Sequence, residues 1–188
     1  MKVALLVAAA ASLAAAEPPR LPVAHRASGV LGSPVDLSGI RRATFTSIEK
    51  RMDKHLMSIP PNDPCELLGG TRGLYVEGFG GVFTAEVSLA FTPGVSPFRP
   101  EITAADKERV WIRKVKALPV LRDTMKEMVV GAADALAMIP ANEQVVLAVR
   151  ILFLSWEKTD TLPGQIVMRG ERSALMRSGA AAIRVEEF

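Results

Sequence analysis

The chain has 188 residues, with 23 Lys and Arg against 20 Asp and Glu, a formal net charge of +3 at pH 7, and a single cysteine. So small a surplus of positive charge does not describe a surface built for nucleic acid, and one cysteine excludes an internal disulfide. The fold must therefore rest on its core, and the apolar share of 49% suits one domain that buries roughly 70% of the surface its unfolded chain exposes.

The chain begins with the three parts of a signal peptide. Met1 and Lys2 give a positive start, Val3 to Leu13 is an apolar run broken only by Ser12, and Ala14-Ala15-Ala16 supplies small residues for a peptidase. Cleavage is expected after Ala16. A membrane anchor would need about 20 apolar residues, and this run is shorter and lacks a basic stop-transfer flank. Acylation of a new N-terminus needs a cysteine there, and the only one is Cys65. The expected organisation is a signal peptide over 1–16, a Pro-rich leader over 17–37 and one domain over 38–188. The expected address is the periplasm or the medium. Later in the chain the longest apolar run, Val145 to Trp156, is too short to span a bilayer and carries Arg150.

In chain order, Ser38 is placed to cap a helix through about Met57, with Ile40, Thr44, Ile48, Met52 and Leu56 on one stripe. Pro60, Pro61 and Pro64 end it. Two alternating runs follow, Leu74 and Val76 in one, Phe83, Ala85, Val87, Leu89 and Phe91 in the other. They predict a β-hairpin from about Arg72 to Phe91, turning at Phe79-Gly80-Gly81, with room for a bulge at Gly78. In this reading Leu74 and Val76 face the core, and Tyr75, Glu77, Thr84 and Glu86 face away from it. Thr103 with Asp106 forms a capping box for a helix that Pro119 interrupts or restarts. Leu121, Met125, Met128, Val129, Ala132, Leu136 and Ile139 then keep helical spacing up to Pro140. A central strand is expected over Gln144 to Trp156, a short strand at Gln165 to Arg169, a helical turn before Gly179 and an edge strand over Ala182 to Glu187. Neighbouring strands and grouped helices give an α+β fold, a mostly antiparallel sheet of four to five strands with two to three helices on one face.

Six glycines fall between Gly69 and Gly81, yet a phosphate loop is excluded because no Lys follows in the required place and the segment joins strand to strand. Glu77 and Glu86 are the candidate acid–base pair, on the expectation that they approach each other across the hairpin. Cys65 and His55 are the candidate nucleophile and base, without a third group to orient them. No metal-ligand spacing and no cofactor motif is present. Tyr75, Glu77, Phe79 and Glu86 form the candidate binding surface, with Phe79 at the tip as an aromatic anchor.

The segment Thr71-Arg72-Gly73-Leu74-Tyr75-Val76-Glu77-Gly78-Phe79-Gly80-Gly81-Val82-Phe83-Thr84-Ala85-Glu86-Val87 resembles a hairpin of uncharacterised exported proteins of environmental bacteria. Those carry an aromatic and a glycine, a second aromatic and glycine, then a Phe and an acidic residue. The resemblance extends through Trp156 and implies membership of a family without known activity, so no catalytic residue follows from it. The expected function is a non-enzymatic exported binding or envelope-associated module. Its expected partner is an envelope protein or a small ligand, not nucleic acid. The alternative is a periplasmic hydrolase using Glu77 and Glu86, or Cys65 and His55.

Overall fold

A computed structural model describes residues 37–59, 65–94, 97 and 101–188, with side chains from Arg42 onward. The expected signal peptide, the leader up to residue 36, and Pro60, Pro61 and Pro64 lie outside the described residues. The elements run α1 (Leu37–Met57), β1 (Glu66–Leu67), β2 (Arg72–Val76), β3 (Gly80–Ser88), α2 (Ala104–Ala135), β4 (Gln144–Ile151), β5 (Gln165–Glu171), α3 (Arg172–Ser178), a short 3-10 turn (Gly179–Ala182) and β6 (Arg184–Glu187). The architecture is α+β. The sheet runs β1-β3-β4-β5-β6, and β2 shares with β1 the same edge of β3. Every pairing is antiparallel except β3 with β4. A parallel pair needs a long crossover, which α2 supplies.

The core lies between one face of the sheet and the helices. From β3 and β4 it takes Phe83, Ala85, Val87, Val145, Leu147, Val149 and Ile151. From α2 it takes a stripe that includes Val110, Ala117, Leu121, Met125 and Val129. Ile48, Met52 and Leu56 of α1 are buried as the fourfold spacing requires, and Phe45 joins them, stacked on Phe83 with ring centroids 5.2 Å apart. The Thr103–Asp106 capping box forms, and Gly179 closes α3 with a φ of +57°.

Four expectations need correction. Ser38 does not precede α1, which already begins at Leu37. Pro119 neither ends nor restarts the helix, since α2 runs through it for 32 residues. Its ring lies on the exposed side, so the rung it removes is open to water rather than buried. That helix stops at Ala135, and Leu136 to Ile139 fold into a turn whose Leu136 and Ile139 still reach the core. The strand after it ends at Ile151, and the N–H of Leu152, donating to Val87 O at 2.9 Å, makes the last rung beside β3.

The hairpin carries the largest reversal. Gly73 pairs with Phe83 and Tyr75 with Gly81, while Leu74 pairs with Val82 and Val76 with Gly80. Because Phe83 faces the core, so do Gly73 and Tyr75, and Leu74 and Val76 face outward with 53% and 41% exposure. The cause is room. A Cβ on Gly73 would come within 2.8 Å of the Phe45 ring and 2.6 Å of the Phe83 ring. Only a glycine at that core-facing position admits the aromatic stack. Gly78 lies in the turn, not in a bulge, with a φ of +76°.

Helix α1 also closes the edge that β2 would otherwise present. Glu49 Oε1 accepts the N–H of Gly73 at 2.8 Å, Asp53 Oδ1 accepts that of Thr71 at 2.7 Å, and Arg42 donates to Gly73 O at 3.2 Å. Edge backbone groups are thereby satisfied by side chains of the packed helix, which blunts the edge against pairing with another chain.

Candidate functional site

The predicted acid–base pair does not assemble. Glu77 is in the turn between β2 and β3, whereas Glu86 is near the far end of β3, opposite Arg150 of β4. The six steps from Gly80 to Glu86 along one strand amount to about 20 Å. Glu86 makes a 3.5 Å ion pair with Arg150 instead, and both side chains are about half exposed. Cys65 and His55 do not form a dyad either. Cys65 is buried, and desolvation, helped by the neighbouring Glu66 carboxylate, pushes its thiol up to about 11. A thiol held protonated at neutral pH is a poor nucleophile, and no described hydrogen bond or ion pair joins it to His55. Among the described residues no cluster of three His, Cys, Asp or Glu side chains is placed to hold a metal ion. No helix among them is long and apolar enough to cross a membrane.

Tyr75 points inward. Its hydroxyl donates to Glu143 Oε1 at 2.9 Å, and the Gly78 N–H donates to the same oxygen at 3.2 Å. Glu143, which is 6% exposed, thus holds both the strand and its turn, while its second oxygen is buried without a partner. Phe79 sits at the tip with 41% exposure, and its carbonyl accepts the Gln144 N–H at 2.7 Å. Of the four predicted binding residues, Glu77 and Phe79 share the turn, Glu86 lies at the opposite end, and Tyr75 faces the core.

The outer face of the sheet, away from the helices, mixes apolar and charged side chains. Its rows follow from the register: Leu74, Val82, Val146, Arg169 and Arg184 in one, Arg72, Thr84, Ala148, Val167 and Glu186 in the next, then Glu86, Arg150 and Gln165. Near the last two rows is a depression of about 440 Å³. Its formation follows from the split edge strand. β1 pairs with Val87 and Ser88, β2 pairs with Gly80 to Thr84, and the chain between them leaves the ladder from Leu68 to Thr71. Leu68 N donates to Glu86 O at 2.8 Å, Gly69 turns with a φ of +85°, and Thr71 is held by Asp53. The connector with Gly69 and Gly70 lines one side, small Thr84 and Ala148 lie on the strands, and Arg72, Glu86, Arg150 and Gln165 bring polar groups.

Reading side-chain types alone missed Glu143, Glu49, Asp53, Arg72 and Arg150. Four of them act through backbone or cross-strand geometry that becomes visible only once the register is known, and Arg72 matters through having no hydrogen bond or ion pair among the described residues. The capping acids Glu49 and Asp53 do leave one trace, a spacing of four on the helix beside Ile48 and Met52. Comparison of the chain with protein-family models, with curated proteins and with solved structures finds no match.

Proposed function

We propose that the chain is an exported, non-enzymatic binding or envelope-associated module, acting in the periplasm or the medium, whose ligand face is the outer face of the sheet. The observation that carries this reading is that face itself. No described helix packs against it, Leu74 and Val76 are exposed on it, and its depression is lined by mixed charges. The tripartite start of the chain and the likeness of its hairpin to that of exported proteins of unknown function support export. A hydrolase is the weaker reading, because Glu77 and Glu86 stand far apart and the Cys65 thiol stays protonated.

Two measurements test this. Expression with the native start, followed by fractionation and intact-mass analysis, should give a chain beginning at Glu17 outside the cytoplasm. Retention of the full-length chain inside would end the export reading. A panel of ester, phosphate, peptide and glycoside substrates should give no turnover that Glu86→Gln, Glu77→Gln or Cys65→Ala removes. Turnover lost in any of these variants would establish an enzyme.

A further inference from the structure

We infer that the depression on the outer face is an anion site, taking the carboxylate or phosphoryl group of a small ligand between Arg72 and Arg150. This deepens the binding reading given above and rests on it. Arg72 is exposed on β2 and has no hydrogen bond or ion pair among the described residues. Arg150 has one partner, Glu86, through a single 3.5 Å contact with 64% and 48% of the two side chains exposed. An exposed pair of this length is worth little and exchanges readily for a better acceptor. Guanidinium groups bind oxyanions through paired, charge-assisted hydrogen bonds.

The register places the two arginines on one rim. Arg72 lies across from Thr84, Thr84 across from Ala148, and Arg150 one pleat further along β4. Two strand spacings and one pleat put their Cα atoms about 12 Å apart, a gap that two extended arginine arms can close around one oxyanion. What lies between them is small, a threonine and an alanine, and the Thr84 hydroxyl and the Gln165 amide add donors. Among the described residues Glu86 is the only carboxylate lining the depression. Two guanidiniums against one carboxylate leave a single positive charge, matched to a monoanion. The other arginine pair on this face does not qualify. Arg169 and Arg184 are directly opposed, but Glu186 pairs with Arg169 at 2.6 Å and Glu171 stands beside them, so that end is balanced.

The test is an NMR titration of the purified chain with sodium phosphate, acetate and octanoate at constant ionic strength. Saturable binding is expected, with shifts at Arg72, Thr84 and Arg150. Arg72→Met and Arg150→Met should each weaken it about tenfold or more, the size of one lost charge-assisted contact. Glu86→Gln should tighten it by about three- to tenfold, because it frees Arg150 and removes a like charge. Octanoate binding more tightly than acetate assigns a carboxylate with an aliphatic body. Phosphate binding more tightly than both assigns a phosphoryl ligand. No saturation with any probe at 50 mM (about that concentration being the practical ceiling for a site with two arginines), indifference to both arginine variants, or weakening by Glu86→Gln overturns the anion site. Those outcomes leave the outer face open to a neutral ligand, whereas turnover lost in Glu86→Gln would overturn the binding reading itself.

Discussion

Removing the charge of Lys114 tests how the far end of the sheet is fastened to α2. Lys114 lies on the buried stripe of that helix with its side chain 1% exposed, and Glu157, in the loop after β4, is 2% exposed; Nζ and Oε2 are 2.5 Å apart. Nζ also donates to Leu152 O at 3.3 Å and lies 4.9 Å from the centre of the Phe153 ring, while Glu157 Oε1 accepts the Thr92 hydroxyl at 3.1 Å. The pair thus ties α2, the loop after β4 and the segment after β3 at one buried point. Lys114→Met keeps the length of the stem but leaves a carboxylate with one neutral donor where water hardly reaches. Breaking such a pair costs about 3–5 kcal/mol. At about 2–4 °C per kcal/mol for a domain of this size, the melting temperature should fall by roughly 6–20 °C. The double variant Lys114→Met, Glu157→Leu removes the stranded charge and should recover most of that loss, since a well-packed apolar pair often matches a buried ion pair. Urea unfolding followed by far-UV circular dichroism, on both single variants and the double, gives the coupling energy. A cost below about 1 kcal/mol for Lys114→Met, on a scale where exposed pairs contribute that little, or a double variant no more stable than the worse single, would refute the buried-pair account.

Other expectations follow from the hairpin and the core. Gly80→Ala should cost about 2 kcal/mol or more, because its Cβ would lie 1.9 Å from Gln144 O at a φ of +135°, while Gly78→Ala, with nothing within 4 Å, should cost about 1 kcal/mol from φ strain alone. Equal costs in urea unfolding would mean that β3 and β4 are less tightly joined there. Tyr75→Phe should cost about 1–2 kcal/mol by stripping a donor from the buried Glu143 carboxylate, and a neutral result would place the hydroxyl in water. The Cys65 thiol, pushed up to about 11 by burial, should react with an aromatic disulfide at pH 8 far more slowly in the native chain than in urea, whereas equal rates would show it exposed. The paired Arg122 hydrogen bonds hold the Glu187 carboxyl below its ordinary value. Its contribution is present above the unfolded carboxyl value and is lost as pH falls through the lower folded one. Arg122→Met should therefore be slightly less stable than the parent at pH 7, by an amount that salt reduces, and indistinguishable from it once both states are protonated. A difference that grew on acidification would reverse the assignment.

The parts of the fold set by local periodicity were legible in the residues. The stripe Leu121, Met125, Met128, Val129 and Ala132 packs as its spacing requires, and Thr103 with Asp106 caps the helix that they belong to. Alternation located β2 and β3 but could not decide which face of β2 was inside. Leu74 and Val76 are the more apolar set, and burial by side-chain type alone puts them inward. What decides is the partner: Gly73 must lie beneath the Phe45 and Phe83 rings, and Phe45 comes from α1, some thirty residues earlier. The same inversion took Tyr75 out of the candidate surface. Glu77 is separated from Glu86 by the register instead, since Val76 pairs with Gly80 and Glu77 falls in the turn. Arg72 and Arg150 carried no signal in the sequence, because an arginine on a strand is ordinarily a solvated one and only the split edge of β3 brings these two to a common depression.

The abundance of glycine in the hairpin has a packing cause, and this narrows where function can reside. Ordering glycine is entropically costly, and a surplus around a turn invites the thought that another chain approaches there. Yet three of these positions are occupied from within, and a fourth, Gly78, serves the turn with its φ of +76°. Gly73 lies under the aromatic stack, and Gly80 meets the backbone of Gln144 where β3 joins β4. Gly81 is 2.9 Å short of the Leu136 side chain by the same measure. The core consumes the space that these residues leave, so their number carries no information about a ligand. Gly69 and Gly70 differ: a Cβ on Gly69 would meet nothing, and one on Gly70 only the tip of Asp53 at 3.4 Å. They belong to the connector that leaves the ladder and, with Arg72, line the depression. Arg72, which has no hydrogen bond or ion pair among the described residues, lines that same depression, and this, more than the exposed ring of Phe79, points to the split edge of β3 as the place for a ligand.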